Sequence, residues 1–183
     1  MRLYINACVH VGEGSRTKEL AEYYLMHTSG DYETIDISDG KLSGLDVDEL
    51  DKRNILEETG DFSDHIFDYA KKMAKADEII IAAPYWDLSY PAVLKAFLER
   101  TFVRGITFIY EGNKQVGLCK AEELVFITTS GGFIGENNYS GDYIKGVSEF
   151  FGIKEFEQYQ AEGLDIIGRD VKEILEKTKS AII

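Results

Sequence analysis

The chain has few residues of the types that form disulfides or bind metal ions. Its 183 residues include two cysteines, Cys8 and Cys119, and three histidines, and none of them falls into a metal-binding spacing. This scarcity predicts no metal site and excludes a disulfide-rich secreted scaffold. Two isolated cysteines are typical of reduced thiols, so we expect a cytoplasmic protein.

Basic charge and long apolar runs are also scarce. Lysine and arginine number 20 against 33 aspartates and glutamates, which leaves a net charge of −13. Binding to nucleic acid is disfavoured, because phosphate neutralisation requires clustered basic side chains. No apolar run reaches the ~20 residues of a membrane-spanning helix, and the first ten residues do not form a secretory signal. We therefore expect one soluble domain over residues 1–183, with no membrane partner.

Only two prolines are present, and they bracket the most informative segment of the chain. Pro84 follows an apolar run at 79–83 that is typical of a strand buried on both faces. Pro91 stands where an amphipathic helix begins. The segment between them contains Tyr85 and Trp86. Because ligands of open α/β sheets bind at the carboxyl ends of the strands, these rings predict a site for a flat ligand.

Strand and helix patterns alternate along the chain, and this alternation predicts an α/β fold. Right-handed crossovers favour a five-stranded parallel sheet of order 2-1-3-4-5, which is a flavodoxin-like three-layer sandwich. The predicted strands cover residues 3–8, 32–37, 78–83, 124–129 and 156–160, and the predicted helices cover 17–27, 62–75, 91–102, 142–151 and 165–179.

Residues 39–60 stand apart, because they are polar, acidic and weakly patterned. A connection of this length is usually functional or mobile in a compact domain. A lid, a dimer arm and a plain acidic surface are all consistent with the composition, and we favour the acidic surface.

The loop after the first strand, VHVGEGSRT, is suited to hold a phosphate. Gly12 and Gly14 allow tight backbone paths, and Ser15 and Thr17 supply hydroxyls at a helix start whose N–H groups are unpaired. Arg16 would add a positive charge. An ordinary capped turn explains the same residues, because serine and glycine are common helix caps. The loop is not a P-loop, since it lacks the Gly-Lys-Ser/Thr ending.

Two further loops are predicted at the same edge of the sheet. After the third strand, Tyr85 and Trp86 would form apolar walls, unless Trp86 is a core residue that caps the sheet. After the fourth strand, residues 129–133 contain consecutive glycines, which let backbone approach a flat ring. A surface turn would have the same composition. The convergence of three such loops is more specific than any one of them.

Four segments of the chain resemble the flavodoxin-like NAD(P)H oxidoreductases, the family of the FMN-dependent azoreductases and NAD(P)H:quinone reductases. They are LYINACVHVGEGSRTKELAEYYL, AAPYWDLSYPAVLKAFLER, RGITFIY and ITTSGGFIGE. Members of the family carry a similar Gly-hydrophobic-Thr-Phe-x-Tyr stretch after the third helix. The spacing of all four segments agrees over essentially the full length.

The resemblance implies a non-covalent FMN, NADH or NADPH as electron donor, and a homodimer with its active site at the subunit interface. A small planar acceptor (a quinone, azo dye, nitroaromatic or free flavin) would take two electrons in a ping-pong reaction. No catalytic residue is assigned, because the cofactor carries the chemistry. The implied cofactor contacts are His10, Ser15, Arg16 and Thr17 near the phosphate, Pro84, Tyr85, Trp86, Asp87 and Leu88 at the ring edge, and Thr129, Ser130, Gly131, Gly132 and Phe133 at the pyrimidine side.

Two departures from the family pattern leave other functions open. Azoreductases usually carry asparagine where this chain has Asp87, and an ionised carboxylate cannot donate a hydrogen bond. The first loop carries Glu13 where many relatives have hydroxyl or amide side chains. One alternative is a flavodoxin-like electron-transfer protein without turnover, whose acidity would suit basic partners. Another is a binding module of the same fold that has lost its flavin.

Overall fold

The computed structural model describes residues 1–10, 14–136 and 138–182, and a parallel sheet lies at its centre. The strands in chain order are β1 (Arg2–Asn6), β2 (Tyr32–Asp36), β3 (Glu78–Ala82), β4 (Phe108–Glu111), β5 (Lys114–Gly117), β6 (Glu123–Thr129) and β7 (Glu155–Ala161). Five of them form the sheet, in the order β2-β1-β3-β6-β7, and all neighbours in it are parallel. The predicted fold class and strand order are therefore confirmed.

Helices cover both faces of this sheet. Within the described residues they are α1 (Arg16–His27), α2 (Val47–Thr59), α3 (Asp68–Lys75), α4 (Ala92–Thr101), α5 (Gly141–Phe150) and α6 (Val171–Ile182), with a 3₁₀ turn at His65–Phe67. Of these described helices, none is long and apolar enough to cross a membrane.

The two faces of the sheet bury alternate side chains of the same strands. In β3, Ile79 and Ile81 pack against α3, α4 and α5, whereas Ile80 and Ala82 pack against α1 and α6. All four side chains are inaccessible to solvent. A strand whose successive side chains face two buried layers must be apolar throughout. The uninterrupted apolar run at 79–83 therefore predicted a strand buried on both faces.

Helix α4 begins directly after the second proline, as predicted. The carbonyl of Pro91 accepts a hydrogen bond from the Leu94 N–H at 2.9 Å, so the proline starts the first turn without needing an N–H of its own. Leu94, Phe97 and Leu98 are completely buried against the sheet. The helix therefore fixes the far end of the segment that follows β3.

No helix was predicted within residues 39–60, and this prediction is wrong because α2 occupies most of the segment. Asp46 accepts a hydrogen bond from the Glu49 N–H at 2.8 Å, and Glu49 accepts one from the Asp46 N–H at 3.2 Å. This reciprocal capping box starts the helix, and Gly60 ends it at a φ of +71°. No α2 side chain is buried, and Arg100 of α4 holds Glu49 through two hydrogen bonds. The sequence of α2 therefore lacks the apolar stripe by which a helix is usually predicted.

Two predicted helix boundaries are also wrong. The helix predicted at 62–75 starts later, since Asp64 caps the 3₁₀ turn by accepting a hydrogen bond from the Ile66 N–H at 2.9 Å. The closing helix, predicted from 165, begins at Val171 after a cap in which Asp170 accepts from the Glu173 N–H at 3.1 Å. The residues before that cap belong to a loop that contacts the candidate site. The first strand ends two residues earlier than predicted.

The RGITFIY segment forms part of a hairpin that the sequence analysis did not predict. Strands β4 and β5 pair antiparallel, and the hairpin packs on the end of α5. A Cβ at Gly117 would lie 2.0 Å from the carbonyl carbon of Phe151, so only glycine fits there. The Cys119 N–H then donates to the Phe151 carbonyl at 3.2 Å. This close backbone contact joins the hairpin to the main body.

A row of carboxylates crosses the sheet at the amino ends of three adjacent strands. Glu78 of β3, Glu123 of β6 and Glu155 of β7 are direct neighbours in register. Glu78 is held by Arg2 at 2.7 Å and by the Tyr24 hydroxyl at 2.8 Å. Burial, together with the nearby charges of other glutamates, raises the pKa of Glu123. Its ionised form is therefore unfavourable in the folded state.

Replacing Glu123 with glutamine is expected to stabilise the protein at neutral pH. A carboxyl with a raised folded-state pKa favours folding at acidic pH, and that contribution is lost as the pH rises through the folded pKa. Glu123→Gln should raise the free energy of unfolding at pH 7 by at most about 1 kcal/mol, and the gain should vanish below about pH 4. Thermal melts across this pH range measure it. The exposed Glu122→Gln is the matched control, and an equal gain in both variants would contradict the explanation.

Candidate functional site

Three loops meet at the carboxyl edge of the sheet, and hydrogen bonds join them. Past the end of β3, the Tyr85 N–H donates to the Thr129 carbonyl at 2.9 Å. The Thr129 hydroxyl is hydrogen-bonded to that of Thr17, in the first turn of α1, with 2.6 Å between the two oxygens. Thr17 and Thr129 are both buried. The loops after β1, β3 and β6 are thus brought together, as the sequence predicted.

The amino end of α1 forms the floor of an open cleft. Ser15 caps the helix by accepting a hydrogen bond from the Lys18 N–H at 3.2 Å, so the capped turn considered from the sequence is present. Gly14 precedes it at a φ of +87°. Gly12 and Glu13 lie outside the described residues. The cleft has a volume of about 540 Å³ and is lined by His10, Gly14, Ser15, Arg16, Lys18, Glu19 and Glu22.

The charge of Arg16 is engaged by another part of the chain. Its Nη1 donates to the Asp165 carboxylate at 2.9 Å and to the Leu164 carbonyl at 3.2 Å. Both acceptors lie in the loop after β7. The Arg16 side chain, predicted to add a positive charge to the first loop, therefore also joins the start of α1 to the loop after β7.

The loop after β3 closes into a tight turn. The Trp86 N–H donates to the Ser89 carbonyl at 3.0 Å, and the Ser89 N–H donates back to the Trp86 carbonyl at 2.7 Å. The central residues, Asp87 and Leu88, have φ values of +49° and +68°, as a type I′ turn requires. They are the only non-glycine residues with positive φ in the described parts of the chain. Aspartate tolerates this conformation, but leucine is strained in it.

The turn exposes its apolar side chains instead of burying them. Trp86 is 43% exposed and Leu88 is 53% exposed, while Pro84 and Tyr85 are half-buried at its base. Trp86 is therefore not a core residue that caps the sheet. Strained backbone that holds apolar groups in solvent is typical of a binding site.

A fourth loop, which the sequence analysis missed, completes this edge. Residues 162–170, the β7–α6 loop, run alongside the loop after β6. The Gly163 N–H donates to the Gly132 carbonyl at 2.9 Å, the Leu164 N–H to Ser130 at 3.1 Å, and the Asp165 N–H to Gly131 at 2.9 Å. Sites lie at the carboxyl ends of strands, and this rule applied equally to β7. The glycine and charged residues that follow β7 could therefore have indicated this loop from the sequence.

The glycines of the β6 loop have different surroundings. A Cβ at Gly131 would lie 2.2 Å from a carboxylate oxygen of Asp165, so this glycine makes room for the side chain that binds Arg16. A Cβ at Gly132 would meet nothing within 4 Å, so open space lies on that side of its backbone. Ser130 is buried, and its hydroxyl donates to the Gly132 carbonyl at 2.5 Å. Phe133 projects beyond them and is 64% exposed.

Neither thiol is suited to nucleophilic chemistry. Burial raises the pKa of the Cys8 thiol to about 12, although a hydrogen bond with Ser15 lowers it in part. Burial raises the pKa of Cys119 to about 12 as well. Both cysteines are free and protonated at neutral pH, and a thiol is a much weaker nucleophile than a thiolate. Over the described residues, no three histidine, cysteine, aspartate or glutamate side chains are grouped to hold a metal ion.

Comparison with known proteins gives a family for this architecture. The sequence profile of a family described as "Flavodoxin-like fold" matches residues 3–183. The chain belongs to this family. FMN-dependent NADH:quinone oxidoreductase 2 from Clostridium acetobutylicum is 35% identical over 186 residues, covering 96% of this chain and 92% of the relative. The protein of the same name from Clostridium perfringens is 35% identical over 182 residues, with the same coverage.

Solved structures share the flavodoxin-like architecture along the whole chain. An azoreductase from Bacillus anthracis superposes with a TM-score of 0.84 at 20% identity, covering 99% of this chain and 95% of that one. An FMN-dependent NADH-azoreductase from the same species, solved in complex with FMN, gives a TM-score of 0.78 at 22% identity, with coverage of 99% and 94%. At these identities the likeness shows the fold alone.

The strained turn of this flavodoxin-like protein gives a prediction about stability. Leu88→Val should lower the free energy of unfolding by roughly 1–2 kcal/mol, because a β-branched residue is poorly tolerated in the left-handed region. Leu88→Gly should stay within about 0.5 kcal/mol of the wild type, since relief of strain offsets glycine's greater unfolded-state entropy. Urea denaturation measures both. Leu118→Val, at an exposed leucine without positive φ, is the control. A loss confined to Leu118→Val would contradict the prediction.

The crowding at Gly131 gives a second prediction. Gly131→Ala should displace the Asp165 carboxylate and break its bond to Arg16, with a loss of roughly 0.5–1 kcal/mol because the pair is partly exposed. Gly132→Ala, where a Cβ has free space, is the matched control and should change the free energy of unfolding by less. Denaturation at low and high salt measures both variants. Equal losses would show that the Arg16–Asp165 pair is not involved.

Proposed function

We propose that this protein is an FMN-dependent oxidoreductase that takes electrons from NADH and passes them to a small planar acceptor, such as a quinone or an azo compound. The observation that carries the proposal is the joining of the α1 cleft to the exposed turn after β3, through the hydrogen bonds Thr17–Thr129 and Tyr85–Thr129. One edge thereby offers a place for an anion next to an apolar surface. Relatives named FMN-dependent NADH:quinone oxidoreductases, 35% identical over nearly the full length, support the same activity.

The α1 cleft fits a phosphate group. The first N–H groups of a helix have no partner within it, and the dipole favours an anion at this end. The Ser15 hydroxyl, which accepts from the Lys18 N–H and is hydrogen-bonded with the Cys8 thiol, lines the cleft beside these N–H groups. Gly14 allows the backbone to approach the ligand, and the exposed His10 also lines the cleft. We assign the phosphate of FMN to this place.

The flat part of the cofactor fits between the loops after β3 and β6. We assign its edge to residues 84–88, where Trp86 and Leu88 supply apolar surface, and its pyrimidine side to residues 129–133. The open space beside the Cα of Gly132 leaves room for a ring to approach. Bound FMN supplies the electron transfer, while these residues bind it, orient it and exclude water from one side.

Asp87 preserves the turn while changing its charge. Aspartate and asparagine both suit the first central position of a type I′ turn, so the carboxylate leaves the backbone geometry intact. An ionised carboxylate cannot donate a hydrogen bond to a cofactor. We therefore assign hydrogen bonding at this position to backbone N–H groups of the turn.

Donor and acceptor are proposed to use the same exposed side of the site in turn, which is a ping-pong mechanism. Trp86, Leu88 and Phe133 are too exposed to shield a flat ligand within one protomer. A second copy of the chain would cover them, so we propose a homodimer with two sites at its interface. The free thiols and the use of NADH are consistent with a cytoplasmic enzyme.

The proposal predicts that purified protein binds FMN and that NADH bleaches the bound flavin under anaerobic conditions. FMN should bind at least about tenfold more tightly than riboflavin, because charge-assisted hydrogen bonds to a phosphate contribute about 1.5–3 kcal/mol each. Visible absorbance and flavin fluorescence measure both steps. Tight flavin that NADH does not reduce would support an electron-transfer protein instead, and absence of flavin binding would exclude both functions.

A matched pair of cap variants separates phosphate binding from helix stability. Ser15→Ala removes the α1 cap and should bring the affinity for FMN closer to that for riboflavin. Asp46→Ala removes the cap of α2, and the loss of either cap costs about 1 kcal/mol of stability. Because neither Asp46 nor any α2 residue lines the cleft, Asp46→Ala should leave both flavin affinities unchanged. Equal weakening of FMN in the two variants would overturn the assignment of the phosphate to α1.

A further inference from the structure

A single arginine stands over the exposed phenylalanine of the candidate site. The guanidinium carbon of Arg169, in the β7–α6 loop, lies 5.0 Å from the centroid of the Phe133 ring. Arginine stacked on an aromatic face keeps its N–H groups directed outward in the guanidinium plane. Both residues are exposed, so these donors are open to solvent beside the proposed ring site.

The β7–α6 loop is built to hold this side chain. Gly163 has a φ of +73°, and a Cβ there would lie 2.3 Å from Nη1 of Arg169. The absence of a side chain at Gly163 therefore makes room for the guanidinium. The Gly163 N–H is bonded to the Gly132 carbonyl, and the Arg169 N–H donates to Ile166 at 3.2 Å. The arginine is thus attached to the same backbone that forms the β6 loop.

Arg169 also differs from the other cations near this edge. Arg16 is paired with Asp165, and Lys18 faces Glu22 at 3.7 Å. Within the described residues, the Arg169 guanidinium forms no ion pair and no hydrogen bond, and its side chain stacks on the Phe133 ring. The nearby Glu162 is occupied, because it accepts hydrogen bonds from the Ile134 N–H and from Gln160, both at 3.1 Å.

We propose that Arg169 binds the diphosphate of the dinucleotide electron donor. This inference rests on the proposed function. A chain with a net charge of −13 repels an anionic donor, so an unpaired cation beside the site would favour its approach. Arginine matches phosphate oxygens with two parallel N–H donors, which a lysine cannot do. The nicotinamide would then lie over the flavin, with the diphosphate at the Phe133 side of the site.

The test compares two donors that differ in the diphosphate. NADH carries it, whereas 1-benzyl-1,4-dihydronicotinamide has the same reactive ring and no phosphate. In FMN-loaded Arg169→Ala, the rate constant for flavin reduction at limiting NADH should fall about five- to tenfold, and the rate with the benzyl donor should stay within about twofold. The dissociation constant of ADP, measured by calorimetry on the FMN-loaded protein, should rise by a similar factor.

Lys172→Ala supplies the charge-matched control, because Lys172 is an exposed cation three residues further along the chain. It should alter neither donor rate nor ADP binding. Equal slowing with both donors in Arg169→Ala, or unchanged NADH and ADP values, would overturn the role of Arg169. If the role of Arg169 is overturned but the benzyl donor bleaches the wild-type flavin, the proposed function still stands. If neither donor bleaches it, the proposed function and this inference fail together.

Discussion

Parallel pairing of β1 with β3 and of β3 with β6 brings the ends of all three strands to one edge of the sheet. Everything proposed for the site depends on this constraint, since each loop alone is an ordinary connection. The pairing continues beyond the strands, where the Tyr85 N–H reaches the Thr129 carbonyl. A buried hydroxyl pair, Thr17 with Thr129, then ties α1 to the same point. The cleft for an anion and the apolar turn are therefore held in a fixed relation.

The candidate site combines rigid backbone with side chains left in solvent. The turn at Asp87 and Leu88 is strained, and the surrounding hydrogen bonds hold it in that conformation. The side chains of the turn are not buried in the core, because β3 and α4, which precede and follow the turn, already fill the interior there. Exposed apolar groups are unfavourable in isolation, which is consistent with a surface that a cofactor and a second subunit would cover.

Charge is distributed unevenly between the two ends of the sheet. Glutamates at the amino ends repel one another, and burial adds to the cost of ionising Glu123. At the carboxyl end, Arg16 neutralises Asp165, whereas Arg169 forms no ion pair among the described residues. An acidic protein can therefore present a locally positive contact next to an apolar one. This combination is what the proposed binding of an anionic planar donor requires.

The sequence by itself indicated the strand order, because the apolar run before Pro84 is typical of a strand buried on both faces and right-handed crossovers favour the order 2-1-3-4-5. It also located the segment around Trp86, since one proline follows the end of a strand and the other stands at the start of a helix. Helix α2 was not predicted, because it buries no side chain and its sequence has no apolar stripe. Its capping box was nevertheless visible in the sequence. The hairpin of β4 and β5 was not predicted either, because its position depends on contacts with α5, which is distant from it in sequence.

Only the tertiary structure decided which charges and hydroxyls are available to a ligand. The pairing of Arg16 with Asp165, 149 residues away, was not visible in the sequence. The same folding brought the β7–α6 loop and Arg169 beside Phe133. The physical reason is that periodicity and local capping depend on neighbours along the chain. Pairing between side chains of different loops depends on how the whole sheet places the ends of its strands.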